Sequence, residues 1–590
     1  MQQDVGILEK DRRVTMTTFA RSLVPTSVVA YFSMEVGVDP AMPTYSGGLG
    51  VLAGDTLRAA ADLSIPMVGI TLLHRKGYFL QHLDAKGNQT ESPAMWSPEK
   101  FLDPLPIRVT VTIEGRTVHI RPWRYMVHGL HEQGIPVYFL DTALTENSPW
   151  DQTITDYLYG GDNHYRLCQE VVLGMGGIAI LRALGYKKVQ AYHMNEGHSA
   201  LIALALLDEQ TERRGLHTIT KKDIEAVRHR CVFTTHTPVP AGQDQFPMDM
   251  VQQVLGEEQA NALKTAQCCW DDALNMTFMA LFLSHYVNGV SLRHEEISHN
   301  MFPNYPISSI TNGVHALTWT ADSFRRLYDR HTPQWRHDNL YLRYVISIPL
   351  DEIQQAHTEA KQELLAEIER RTGIKLNPGV MTIGFARRAT AYKRADLLFS
   401  DLDRLRRIAR QVGPLQIIYS GKAHPRDENG KALIRHIFEA AADLKDMVPV
   451  LYLEEYDMAL SKYLCSGVDL WLNTPQKPYE ASGTSGMKAA LNGVPSLSIL
   501  DGWWVEGHVE GVTGWSIGDS WEPESNPAME IASLYDKLEY LIVPMFYRQP
   551  MAFSQIMRHA IALNGSYYNA QRMLFQYVEN AYLATDPLHE

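Results

Sequence analysis

Cysteine is scarce in this chain: five in 590 residues (Cys168, Cys231, Cys268, Cys269 and Cys465), an odd number without zinc-type spacing. A disulfide-framed secreted scaffold and a structural zinc site both fit poorly; ordinary thiols in a reducing compartment fit better. No apolar run in MQQDVGILEKDRRVTMTTFARSLVPTSVVAYF is long enough for a signal peptide or a membrane span, so the expected location is cytoplasmic, with no membrane partner. Basic excess is missing as well. Lys plus Arg number 54 against 67 Asp plus Glu, a formal net charge of −13. That balance argues against a nucleic-acid partner but leaves room for a local anion site. Repeats and low-complexity tracts are absent. With 45% hydrophobic and 9% aromatic residues, the chain has the composition of a globular protein with a substantial core.

Residues 1–27 are mixed and polar and read as an N-terminal arm. From residue 28 short apolar runs alternate with helical segments. A strand over 28–34 leads through a glycine-rich turn at 45–50 into a helix ending at Leu63, then a strand over 67–73. Alternation over 107–113 and 117–121 around Glu114-Gly115 predicts a hairpin. The character changes between 316 and 375, where 351–372 reads as a charged amphipathic helix closed by Gly373. Beyond it, strands over 380–385, 415–419, 448–453, 468–472 and 497–500 alternate with helices, one of them spanning 395–412. This pattern predicts an α/β fold: two Rossmann-like, doubly wound halves facing a cleft, divided as 28–315 and 316–590.

Several motifs carry no chemistry on this reading. Gly174–Ala179 matches a dinucleotide fingerprint but lies inside a helical run and precedes a strand, so close helix packing explains its glycines better. His193/His198 and His294/His299 are spaced i, i+5, which does not place two rings on one helix face, and no metal is expected. Three other segments are more informative. Tyr45-Ser46-Gly47-Gly48-Leu49-Gly50 runs straight into a helix whose N-terminus can hold a phosphate. Arg387-Arg388-Ala389-Thr390-Ala391-Tyr392-Lys393-Arg394 follows a strand, where α/β sheets place ligands, and Gly421-Lys422 follows the next. Glu480-Ala481-Ser482-Gly483-Thr484-Ser485-Gly486-Met487-Lys488 combines hydroxyls, glycines, a carboxylate and a lysine able to capture an aldehyde cofactor.

EASGTSGMKAALNG closely resembles the cofactor-lysine motif of the α-glucan phosphorylases, usually EASGTGNMK. In family order, SGGLG resembles NGGLG, TTHTPVP resembles NHTVLP, ITNGVH resembles TNGITP and RRATAYKR resembles KRIHEYKR. The chain looks most like the short bacterial members. The resemblance implies a two-domain glycosyltransferase B fold and retaining phosphorolysis of α-1,4-glucans by inorganic phosphate, with pyridoxal 5′-phosphate on Lys488. It places Thr484, Gly48 and Arg387 at the cofactor phosphate, and Arg388 and Lys393 at the substrate phosphate. His236, Asn312, Glu480, Ser482 and Gly483 would hold the glucosyl unit, with Tyr392 and Glu35 lining the same cleft. Lys488, Arg388, Lys393 and His236 are the expected catalytic groups. In the family the cofactor acts through its phosphate, and two phosphates about 5 Å apart repel by roughly 3 kcal/mol per pair of unit charges at an effective dielectric near 20. Such a site needs fixed cations.

Departures are visible. The family's first Lys is Arg387, its His and Glu fall on Thr390 and Ala391, and GTGNMK is GTSGMK. The sequence begins almost at the first motif, so the N-terminal regulatory segment of long members is expected to have no counterpart. Members are often homodimers, and nothing here marks an interface. Three rivals compete: a sugar-nucleotide-dependent glucan synthase, which lacks the cofactor lysine; a decayed glucan-binding paralogue; and a hydrolase using Glu454 and Glu455, whose adjacency on a strand would point them to opposite faces.

Overall fold

The computed structural model describes residues 28–131, 133–214, 219–239, 242–266, 268–518 and 524–583; the arm expected over 1–27 lies outside them. The first sheet grows from Val28–Ser33 (β1), whose apolar VVAYFS run is buried on both faces, as a central parallel strand requires. Helix α1 (Gly48–Leu63) returns the chain to β2 (Met67–Leu72). A projecting hairpin follows, β3 (Leu80–Leu83) and β4 (Gln89–Ser92). The sheet continues with β5 (Arg116–Val127), β6 (Ile135–Asp141), β7 (Val189–Asn195), β8 (Cys231–Thr234) and β9 (Tyr286–Gly289). Spatially the order is β9-β8-β7-β1-β2-β6-β5, parallel except for the β5–β6 pair, with short strands at both edges. Because β2 and β7 flank β1 on opposite sides, the direction of winding reverses there, opening a crevice at the carboxyl ends of β1 and β7.

Helix α2 (Leu292–Met301) and the long helix α3 (Leu350–Thr372) come next; α3 stops at Gly373, whose φ of 70° is the left-handed cap anticipated from sequence. Six parallel strands then form the second sheet: β10 (Met381–Ala386), β11 (Leu415–Ser420), β12 (Val450–Leu453), β13 (Leu470–Asn473), β14 (Ser496–Ile499) and β15 (Gly514–Ile517). Their order, β12-β11-β10-β13-β14-β15, again reverses at its centre, between β10 and β13. Both informative loops of the second half leave from that point: Arg387 follows β10, and the 480–488 segment follows β13. Helix α4 (Ser485–Ala490) carries Lys488. Helix α5 (Ala570–Tyr577) returns to the first sheet, where Met573, Leu574 and Tyr577 share a core with Val29, Tyr31 and Leu57. Among the described residues no helix is long and apolar enough to cross a membrane.

Two expectations need correction. The helix read over 395–412 is broken: a 3-10 turn, Leu397–Phe399, precedes a helix of Leu402–Gln411, because the Asp401 carboxylate accepts from Arg404 N (2.8 Å) and caps a fresh start. Glu454 and Glu455 are not strand residues pointing apart. β12 ends at Leu453, Glu455 has φ 59°, and both side chains reach the β3–β4 hairpin: Glu455 Oε2 accepts from Gln81 N (2.6 Å) and Glu454 Oε2 from Leu83 N (3.1 Å). Lys422 joins this junction, donating to Phe79 O (2.9 Å) and pairing with Glu455. The buried amides of Gln81 and Gln89 bond Gly421 O (2.9 Å) and Ala423 O (2.8 Å). The hairpin therefore bolts the first sheet's unit to the carboxyl edge of the second.

Candidate active site

The glycine loop is shaped by Glu35, just past β1. Its buried carboxylate accepts from Ser46 N (2.6 Å), Gly47 N (3.3 Å), Ser46 Oγ (3.1 Å) and the Tyr159 hydroxyl (2.8 Å). Glu35 therefore lies behind the loop and shapes it. Gly50 has no room for a side chain, since a Cβ there would sit 2.7 Å from Glu35 Oε2. Gly48 faces open space, with nothing within 4 Å of the same added atom. The first turn of α1 contains no acidic residue and is open at Gly48, while Glu35, behind the loop, takes up the Ser46 and Gly47 amides that lead into it.

Across from it stands the loop after β10. Arg388 is reachable by solvent yet enclosed by protein, and its Nη2 lies 3.4 Å from Ser46 Oγ, joining the two sheets' loops at the glycine turn. Arg387 Nη2 pairs with Glu480 Oε2 at 2.8 Å, and Lys393 Nζ pairs with the same oxygen while lying 4.5 Å from the Tyr392 ring centroid. Burial alone would raise Glu480's pKa, but the two cations outweigh it and hold the carboxyl below its usual range. Arg394 faces elsewhere, engaged by Glu530 (2.6 Å) and two carbonyls. Beneath Glu480, Asp501 Oδ2 accepts Glu480 N (2.9 Å); burial, reinforced by the Glu480 charge, lifts its pKa to about 7.

Lys488 is buried, and its Nζ lies 3.7 Å from the Trp319 ring centroid, with no oxygen partner among the described residues. Burial lowers its pKa, so the amine is more available as a nucleophile than a surface lysine. Thr484 opens helix α4 without capping it, leaving its hydroxyl available. Gly483 adopts φ 79° beside Arg387 and Glu480, a conformation glycine accepts without strain.

Neutral groups furnish the rest. His236 Nε2 bonds Asn195 Oδ1 (2.7 Å) and its backbone N–H donates to Glu196 Oε2 (2.8 Å); burial pushes its pKa down to about 3, so the imidazole is uncharged at neutral pH. Asn312 Oδ1 and Ser482 Oγ are buried without a hydrogen-bond partner, unusual for native polar atoms and suited to ligand hydroxyls. A cavity of about 310 Å³ lined by Tyr78, Tyr157, Tyr159 and His424 draws on both sheets' loops and adjoins this site through Tyr159. A larger recess of about 500 Å³, at the amino ends of β1, β2 and β6, contains none of the candidate residues.

The carbohydrate phosphorylase family model matches residues 256–512. The chain is 38% identical to the maltodextrin phosphorylase of Thermococcus litoralis, the alignment covering 94% of this chain and 70% of that one. The chain belongs to the carbohydrate phosphorylase family. It is also 34% identical to the glycogen phosphorylase of Aquifex aeolicus (94% and 86% covered) and 35% identical to that of Mycobacterium tuberculosis (98% and 72%). For this family member the sequence reading missed Trp319 under the lysine, Tyr159 behind the glycine loop, and Asn195 and Glu196 beside His236. The last two stand inside HMNEGH, a segment read only for its histidines. His193 itself is a core residue on β7, bonded to Tyr582 OH (2.6 Å) and Thr234 Oγ1 (2.9 Å).

Proposed function

We propose that this chain is an α-1,4-glucan phosphorylase, releasing glucose 1-phosphate from the non-reducing ends of glycogen-, starch- or maltodextrin-like chains with retention of configuration. The observation that carries this reading is the meeting of Arg388 with the open first turn of α1, beside the Arg387–Lys393–Glu480 cluster. Arg387, Arg388 and Lys393 outnumber the Glu480 and Glu35 carboxylates and leave positive charge beside a helix N-terminus, an environment suited to phosphate. We assign the two sheets to a glycosyltransferase B arrangement, 28–315 supplying the glycine loop and sugar contacts and 316–590 the cations and lysine, with α5 counted beside the first sheet.

Pyridoxal 5′-phosphate, the cofactor implied by the family resemblance, fits these residues. Lys488 offers a desolvated amine free of oxygen partners, and the free Thr484 hydroxyl, the open Gly48 turn and Arg387 are suited to its phosphate. When bound it supplies a second phosphate for proton exchange. The chain's own groups do the rest. Arg388 and Lys393 hold orthophosphate and stabilise the charge it carries toward the glycosidic oxygen. Neutral His236, with Asn312, Ser482, Gly483 and Glu480, orients the glucosyl hydroxyls without competing for the anion. Tyr392 shields Lys393 from water, and Glu35 keeps the loop in register. Incubating the protein with maltodextrin and orthophosphate tests the proposal through the glucose 1-phosphate formed. Free glucose as the sole product, or glucosyl transfer only from a sugar nucleotide, overturns it.

A further inference from the structure

Asn312, whose Oδ1 is buried and unpartnered, lies on a turn held by residues from distant parts of the chain. Arg572, 6% exposed on α5, donates through Nη1 to Thr311 O (2.6 Å) and through Nη2 to Asn312 O (2.9 Å). Its Nε donates to Tyr567 O (2.9 Å) and Nη1 also to Gln576 Oε1 (2.8 Å), so the guanidinium is held by neutral oxygens on every side. The main chains are zipped alongside: Val314 N donates to Tyr568 O (3.1 Å) and Ala570 N to Val314 O (2.8 Å). Gly313 approaches so closely that a Cβ would lie 2.1 Å from Asn569 O. From the other direction, Glu506 Oε2 accepts from Thr311 Oγ1 (2.7 Å) and Oε1 from Leu292 N (2.9 Å).

The same hub reaches the second sugar-facing loop. Trp503 N donates to Ser482 O (3.0 Å), and the Trp503 ring meets Tyr568 edge-on at 4.7 Å, with Arg572 6.0 Å from the Tyr568 ring centroid. Ser291 Oγ donates to Ala481 O (2.6 Å), next to the Leu292 amide that Glu506 holds. One planar fork gripping two consecutive carbonyls fixes both peptide planes, which a single ammonium cannot reproduce.

We propose that Arg572, assisted by Glu506, is a positioning residue for sugar binding: it fixes the Thr311 and Asn312 peptides so that the Asn312 side chain is presented to the glucosyl unit. This rests on the glucan phosphorylase reading above. In the holoenzyme, Arg572→Lys is expected to raise KM for glucose 1-phosphate and for maltodextrin about tenfold and to leave KM for orthophosphate within about twofold. In an Asn312→Ala background the same replacement adds less than about twofold, because the two residues act as one unit. Additive effects in the double variant, or an equal rise in the orthophosphate KM, overturn the proposal. Should Arg572→Lys fail to fold, Thr311→Val severs only the Glu506 arm and is expected to raise the sugar KM about threefold, again only when Asn312 is present; an unchanged KM overturns the proposal. Wild-type protein runs in parallel. Absence of wild-type phosphorolysis removes the underlying reading and the proposal with it, whereas normal wild-type turnover with additive variants sinks the positioning role alone.

Discussion

On the first-sheet side of the cleft the buried histidines are neutral. Burial pushes His193, His198 and His236 down to about 3 and His74 and His294 down to about 4. Arg166 on that side is paired with Asp244 (2.9 Å). The second-sheet side of the cleft carries an ion cluster instead, Arg387 and Lys393 on Glu480, with Arg388 beside it. One wall suits hydroxyls and the other suits anions. On the function proposed above, a ligand that is half sugar and half phosphate would be oriented by that contrast before any chemistry begins.

The sharpest way to break this contrast is to remove the amine between the walls. Lys488→Ala is expected to lower glucose 1-phosphate formation by about a thousandfold or more, the scale of a lost proton-relaying group. In the wild type, borohydride reduction followed by mass spectrometry should find a pyridoxyl group on the Lys488 peptide; an unmodified peptide in active protein would refute the cofactor assignment. Next comes the carboxylate that both cations share. Glu480→Gln leaves two buried charges unbalanced and should cost about 3–5 kcal/mol of stability, measured by denaturant titration. Added orthophosphate should restore more stability to this variant than to wild type, and equal gains would mean the cations do not form an anion site. Arg388→Ala should raise KM for orthophosphate roughly thirty- to a hundredfold, about 2–3 kcal/mol for a charge-assisted contact, with a much smaller change in KM for maltodextrin. Equal changes in both would erase the division of labour.

The smallest effect concerns the neutral wall. A histidine held neutral down to about pH 3 takes up a proton on unfolding once the pH drops below its unfolded value near 6.5. Stability therefore falls as the pH falls through that value, by about 1.4 kcal/mol per pH unit for each such group. His236→Asn should flatten the pH dependence of stability between about 6 and 4 by close to one such increment, and an unchanged slope would show that His236 titrates in the folded protein.

The parts of this design that sequence displayed are local. The strand-then-glycine order at Gly48, the helix stop at Gly373 and the loops after the second sheet's central strands were readable because turn chemistry and apolar period act over a few residues. What stayed hidden depends on partners far along the chain. Lys422 looked like an anion-site cation and is tied to Phe79 and Glu455. Glu35 looked like part of the cleft lining and instead supports the loop, because Tyr159 and two loop amides converge on it. Neither the Trp319 ring under Lys488 nor the return of α5 to the first sheet has a signature in its own segment. Asp401 was legible in principle; its capping signal was overridden by an apolar pattern that ran through it.

The β3–β4 hairpin has a mechanical corollary. Gln81 and Gln89 reach across to main-chain atoms at 421–423, and glutamates 454 and 455 grip the hairpin's own backbone, so its position relative to β11 and β12 is set to within a hydrogen-bond length. Any opening that spares those contacts has to turn about that rim as an axle and to part Ser291 from Ala481 and Leu292 from Glu506 on the opposite margin.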